Sequence, residues 1–135
     1  YRGVVKGLGL NEGVYQSFLS KRKHFIEVFN RYFENHDVWI CPVQPRQAYP
    51  HIKTGKSITI DGKQVAYWQA TITYTTLFNV TGMPSVVLPI GFASDGLPIG
   101  VQLVGALGKD QELLAFAKEI EKLLPGVGIP KGFEE

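Results

Sequence analysis

Apolar residues recur at three- and four-residue steps between about Asn11 and Asn35. Val14, Tyr15, Phe18 and Leu19 come first, then Phe25, Ile26, Phe29, Tyr32 and Phe33. That spacing predicts an amphipathic helix, with Asn11 as N-cap, Asn35-His36 as stop and room for a break near Ser20. A stripe so rich in aromatics reads as core packing. Asp37-Val38-Trp39-Ile40-Cys41 follows as a continuous apolar run, a short buried strand ended by Pro42. From Val43 to about Lys56, Pro45, Pro50 and Gly55 mark a loop.

Polar and apolar residues alternate over Ser57–Ile60 and again over Lys63–Ala66. Asp61-Gly62 between them is the two-residue signature of a tight β-hairpin. Tyr67–Val80 has helical spacing through Trp68, Ile72, Thr75 and Leu77, and predicts a helix ending before Gly82-Met83-Pro84. Ser85–Pro89 and Ile99–Val104 are rich in β-branched residues and read as two strands. Asp110 is a fair N-cap for a last helix to Leu124, with Glu112 favourable in its first turn. Leu113, Leu114, Ala117, Ile120 and Leu124 form its buried stripe; Pro125-Gly126 ends it, and the tail to Glu135 is irregular. The alternation of helix, strand, hairpin and helix predicts an α/β fold, a mixed β-sheet with covering helices, in a single domain over residues 1–135.

Composition narrows the classes of function. The 135 residues are 44% hydrophobic and 19% charged, as in a globular chain with a usable core. A formal charge of +2, spread along the chain, argues against nucleic acid, and Lys21-Arg22-Lys23 reads as a solvated helix face. No apolar run reaches the roughly 20 residues of a membrane span. One cysteine, Cys41, leaves no internal disulfide, so a reducing, cytoplasmic setting is expected. Tyr1 opens the chain and Met83 is its one methionine, which suggests a piece of something longer.

Residue chemistry alone yields no site. Residues 1–10, with Gly3, Gly7 and Gly9, read as a flexible opening loop. The third glycine of a dinucleotide fingerprint would fall one place late, at Gly13. Cys41 lies in an apolar strand, a setting that leaves a thiol inert. Ser85 follows Pro84 and lacks the glycine-flanked elbow of a hydrolase serine. His24, His36 and His51 have no metal-ligand spacing, so neither metal nor cofactor is expected.

One stretch carries a resemblance. Phe78-Asn79-Val80-Thr81-Gly82-Met83-Pro84-Ser85 leads into Leu88-Pro89-Ile90-Gly91. After Ser94-Asp95-Gly96 come Leu97-Pro98-Ile99-Gly100-Val101-Gln102-Leu103-Val104-Gly105, then Asp110-Gln111-Glu112-Leu113-Leu114. This order resembles the C-terminal part of the amidase signature family, whose members hydrolyse or transfer across amide C–N bonds. The likeness covers roughly residues 20–124, including the aromatic helix and the strand before Pro42.

The resemblance implies a serine nucleophile activated through a second serine, on a cis peptide, by a lysine. Those residues belong to a Gly/Ser-rich stretch and an earlier lysine, N-terminal to the matching part, and this sequence has no Gly-Gly-Ser-Ser-Gly-Gly-type segment. No catalytic residue carries over, and the chain alone is expected to be silent. Its expected partners are the missing N-terminal part, a small amide substrate, and other copies through exposed strands. Tyr67, Trp68, Phe78 and Asn79 are the expected substrate-cleft residues, while Trp68 and Phe78 are open to a second reading as core. Asn79 and Gln102 are equally open to satisfying backbone groups. Pro89 and Pro98, which each lack a ladder donor, are expected at strand ends, bulges or an edge.

Overall fold

A computed structural model describes residues 6–129 and 132–133. The long helix α1 runs unbroken over Glu12–Phe33, Asn11 accepting a hydrogen bond from the Val14 N–H as its N-cap. Ser20 causes no break; its hydroxyl donates to the Gln16 carbonyl within the helix. Of the opening loop, residues 1–5 lie outside the described residues, and Lys6 to Leu10 are closed into a helical turn by two backbone hydrogen bonds. The strands are β1 (Trp39–Pro42), the hairpin β2 (Ile58–Ile60) and β3 (Lys63–Val65), and the hairpin β4 (Ser85–Phe92) and β5 (Pro98–Val104). The predicted helix over Tyr67–Val80 is two helices, α2 (Tyr67–Ile72) and α3 (Thr76–Thr81), and the last helix, α4, spans Asp110–Glu121.

The break between α2 and α3 has a local cause. Four of the six residues in Thr71-Ile72-Thr73-Tyr74-Thr75-Thr76 are threonines. Their hydroxyls bond back to carbonyls about one turn earlier, Thr75 and Thr76 both to Ile72. Side chains competing for backbone acceptors weaken a helix there. Gly82, left-handed at φ 78°, ends α3 by returning its N–H to the Phe78 carbonyl.

The principal sheet has the order β1-β5-β4, antiparallel throughout. β4 outruns its predicted end at Pro89 because the pairing shifts between Pro89 and Gly91 and then continues to Phe92 opposite Pro98. Asp95-Gly96 closes the hairpin, with the Gly96 N–H bonded to the Ala93 carbonyl and Gly96 at φ 80°. In the smaller hairpin Asp61 and Gly62 both have positive φ, 49° and 75°, as a type I′ turn requires.

The Gly105 N–H bonds to the Pro84 carbonyl and fixes the phase of the ladder. Hydrogen-bonded pairs alternate, so Val86 and Leu88 face β5 while Pro89 turns its nitrogen to the open edge. By the same alternation Trp39 and Cys41 bond β5 and Pro42 points outward. Each outer strand thus carries a proline where no donor is needed. β1 corrects the expectation of a buried strand: it begins at Trp39, includes Pro42, and leaves Ile40 57% exposed, because nothing among the described residues covers that edge.

Leu103 and Val104 are fully buried on opposite faces of β5. One face joins Val104, Cys41 and Met83 to Phe29 of α1 and Phe78 of α3; the other joins Leu103 and Leu88 to Leu113 and Ala117 of α4. Asp110 is the first residue of α4 and Lys109 its cap, and the helix stops at Glu121, short of the predicted Leu124. Leu114, expected in the stripe, is 45% exposed. The aromatic stripe of α1 is the larger correction: Phe29 alone is buried, and Val14, Tyr15, Phe18, Leu19 and Phe25 face solvent. They all precede Ile26, the first half-buried residue of the helix.

Candidate functional site

The α2–α3 bend is the most distinctive surface. Ala66, in an extended conformation, turns the chain from β3 into α2, so Tyr67 and Trp68 open the helix side by side with rings edge to face at 5.7 Å. Trp68 is 62% exposed and Tyr67 half-buried. Asn79 lies exposed on α3. Phe78 is buried on the other side of that helix, its ring 6.0 Å from Phe29 and 6.4 Å from Trp39. The structure thus brings Tyr67 and Trp68 together at the surface and places Phe78 in the core beneath.

The bend is held from below by Gln102. This buried side chain on β5 donates from Nε2 to the Tyr74 carbonyl at 3.3 Å and to Cys41 Sγ at 3.3 Å. The Tyr74 carbonyl sits where α2 breaks, one of the backbone acceptors a helix end leaves free. A second brace comes from α1, where Arg22 Nε donates to the Val80 carbonyl at 2.6 Å. Arg22 stays exposed, as expected of a solvated helix face, and adds this bond there. The run of threonines is the signal in the sequence for the break, and Gln102 satisfies a backbone group as expected, with the Tyr74 carbonyl as its partner.

Two clefts flank the sheet. One, of about 410 Å³, has Phe33, Val38, Leu113 and Phe116 as apolar walls and His36, Asp37, Lys109 and Glu112 as polar lining. The His36 ring stacks on Tyr32 at 4.1 Å, and its Nδ1 is 2.9 Å from the Tyr32 carbonyl. A carbonyl only accepts, so Nδ1 carries the proton. Lys109 and Glu112 pair at 2.7 Å. Hydrogen bonding to Lys109 holds the Glu112 carboxyl below its ordinary value, and the same bond raises the Lys109 ammonium. The other cleft, of about 460 Å³, lies between the loop from Pro42 to Ala48 and the β4–β5 hairpin at Val87 and Pro98–Gly100. Arg46 ties this loop to the small hairpin through the Thr59 carbonyl at 2.6 Å.

Cys41 is buried and engaged by Gln102, and Ser85 opens β4 opposite Val104. No group of three His, Cys, Asp or Glu side chains gathers to hold a metal ion among the described residues. No helix among them is long and apolar enough to cross a membrane.

Comparison with known proteins gives this geometry its context. Residues 7–114 match the family model described as Amidase. The chain is 38% identical over 96 residues to 6-aminohexanoate-cyclic-dimer hydrolase from Paenarthrobacter ureafaciens, covering 67% of this chain and 20% of that protein. It is 34% identical over 127 residues to a subunit of glutamyl-tRNA(Gln) amidotransferase from Desulfotalea psychrophila, covering 91% and 25% respectively. A crystal structure of an amidase superposes with a TM-score of 0.78 at 28% identity, over 91% of this chain and 28% of that one. The chain therefore spans about a fifth to a quarter of the length of these relatives. The strand pair around Asp95-Gly96, the preceding Asn79–Pro84 turn and the helix from Asp110 carry both the family's sequence pattern and its fold, and this chain belongs to the amidase signature family.

Proposed function

We propose that this chain is the C-terminal part of an amidase signature hydrolase that cleaves amide C–N bonds through an acyl-enzyme. It supplies three strands, their covering helices and one wall of the substrate cleft, and is catalytically silent alone. The observation that carries the reading is exposed Trp68 beside half-buried Tyr67, on a bend braced by buried Gln102. A large aromatic held rigidly at the surface offers apolar area and a single donor, suited to walling a cleft for an amide. Tyr67, Trp68 and Asn79 face that cleft, and Phe78 supports them from the core. The relatives' greater length supports a partner portion holding the serine nucleophile and its lysine base. A free buried thiol supports a cytoplasmic setting.

The test is amide hydrolysis by the chain alone and by the chain joined to the polypeptide encoded in frame upstream of Tyr1. The expected result is no turnover alone and turnover when joined. An upstream frame without a Gly/Ser-rich segment and a suitable lysine, or a well-folded inactive pair, overturns it. A second reading, a non-enzymatic binding module derived from an amidase, is favoured by one observation. Among the described residues every buried side-chain polar atom is partnered, as in a self-sufficient domain. The inactive pair is its predicted outcome.

A further inference from the structure

The 22 residues of α1 make a rod of about 33 Å. Every residue of α1 that is buried or half-buried, Ile26, Phe29, Tyr32 and Phe33, lies in its last two and a half turns. The apolar stripe nevertheless continues in the same direction toward the N-terminus. Taking about 100° per residue, Val14, Phe18, Phe25 and Phe29 fall within a sector of about 60°, with Tyr15 and Leu19 on its flank. Lys23, Glu27 and Arg31 occupy the opposite side. Phe18 is 51% exposed, Tyr15 53% and Phe25 46%. A helix with one continuous apolar face, half of it against a sheet, is patterned to cover a wider layer than the one present.

Arg22 lies within the apolar face, and its Nε donates to the Val80 carbonyl, which ties the middle of α1 to the end of α3. We infer that the part of α1 before Ile26, through Val14, Tyr15, Phe18, Leu19 and Phe25, is the surface on which the rest of the amidase fold docks. The occupant is the apolar sheet-and-helix layer of the catalytic portion, and this rests on the function proposed above. The relatives' excess length supplies the missing layer: the chain covers 20% to 28% of their lengths.

The test separates this interface from the function. The wild-type chain, Phe18→Glu and Lys23→Glu are each titrated against the polypeptide encoded in frame upstream of Tyr1, with affinity and amide hydrolysis both read. Circular dichroism of the isolated variants is expected to be unchanged, since both side chains face solvent there. Phe18→Glu is expected to weaken association about 30-fold or more, the size of a buried anchor's loss, and Lys23→Glu to leave it unchanged. If Phe18→Glu associates and restores activity as the wild type does, the docking surface is wrong and the function stands. If the wild type neither associates nor restores activity, the function falls and the interface with it. If the isolated chain forms a dimer that Phe18→Glu breaks, and that dimer persists in the complete protein, the occupant is a second copy and the inference is overturned.

Discussion

Gln102 is the residue on which the surface bend depends most. It lies 4% exposed in the central strand and ties α2–α3 to β1 through one amide nitrogen. Replacing it with alanine leaves the Tyr74 carbonyl without its donor, a loss of about 1–3 kcal/mol for a buried group. Gln102→Ala is expected to lower the stability read from urea unfolding by that amount and to change Trp68 emission before global unfolding begins. An unchanged midpoint with unchanged emission would show that the bend holds without it. Sequence spacing places Gln102 on a strand, but its partners come from positions 28 and 61 residues away. That Gln102 satisfies a backbone group is legible in the sequence, but a contact between such distant positions has no local signature, so its partner is not.

At the scale of elements, the legible parts are those whose cause is local. Asp61-Gly62 fixes a turn by backbone angle alone, and Asn11 caps α1 by reaching three residues along. The misread parts are those where a neighbour decides. The stripe of α1 predicts a buried helix, but burial requires a layer, and here the layer ends before the helix does. Helix α4 shows a smaller case, in which Lys109 takes the capping position and pairs with Glu112 rather than leaving Asp110 to cap. This pair gives α4 a pH dependence whose sign follows from its two shifts. The lowered carboxyl contributes stability above its ordinary value, lost as pH falls through the lowered one. The raised ammonium contributes below its ordinary value, lost as pH rises through the raised one. Both side chains are exposed, so the effect is small and screened by salt. Thermal melts of the wild type and Glu112→Gln from about pH 7 down to about pH 3 should converge at the acid end. A constant separation across that range would assign the difference to something other than the pair.

For the whole molecule, the family is legible because a run of glycines and prolines sets the shape of the β4–β5 unit. The site is not, because its residues are gathered from separate elements, and the chain spans only a fifth to a quarter of the length of these relatives. The same division governs how the chain reaches its fold. The buried residues of the α4 face, Leu88, Leu103, Leu113 and Ala117, come from one uninterrupted hairpin and the helix that follows it. Those of the α1 face are gathered from Phe29, Cys41, Phe78 and Val104, across most of the chain. Closing short loops loses less chain entropy than closing long ones, so the hairpin and α4 form the folding nucleus and α1 closes last. Stopped-flow kinetics should then find Leu113→Ala slowing refolding and Phe29→Ala chiefly speeding unfolding; the reverse assignment would reject this order. The nucleus lies toward the C-terminal end, so it leaves the ribosome after everything it must organise. During synthesis Phe29 and Phe33 of α1 wait, exposed, for the strands and helix they pack on, which have yet to be translated, and this makes the helix a segment in need of a chaperone.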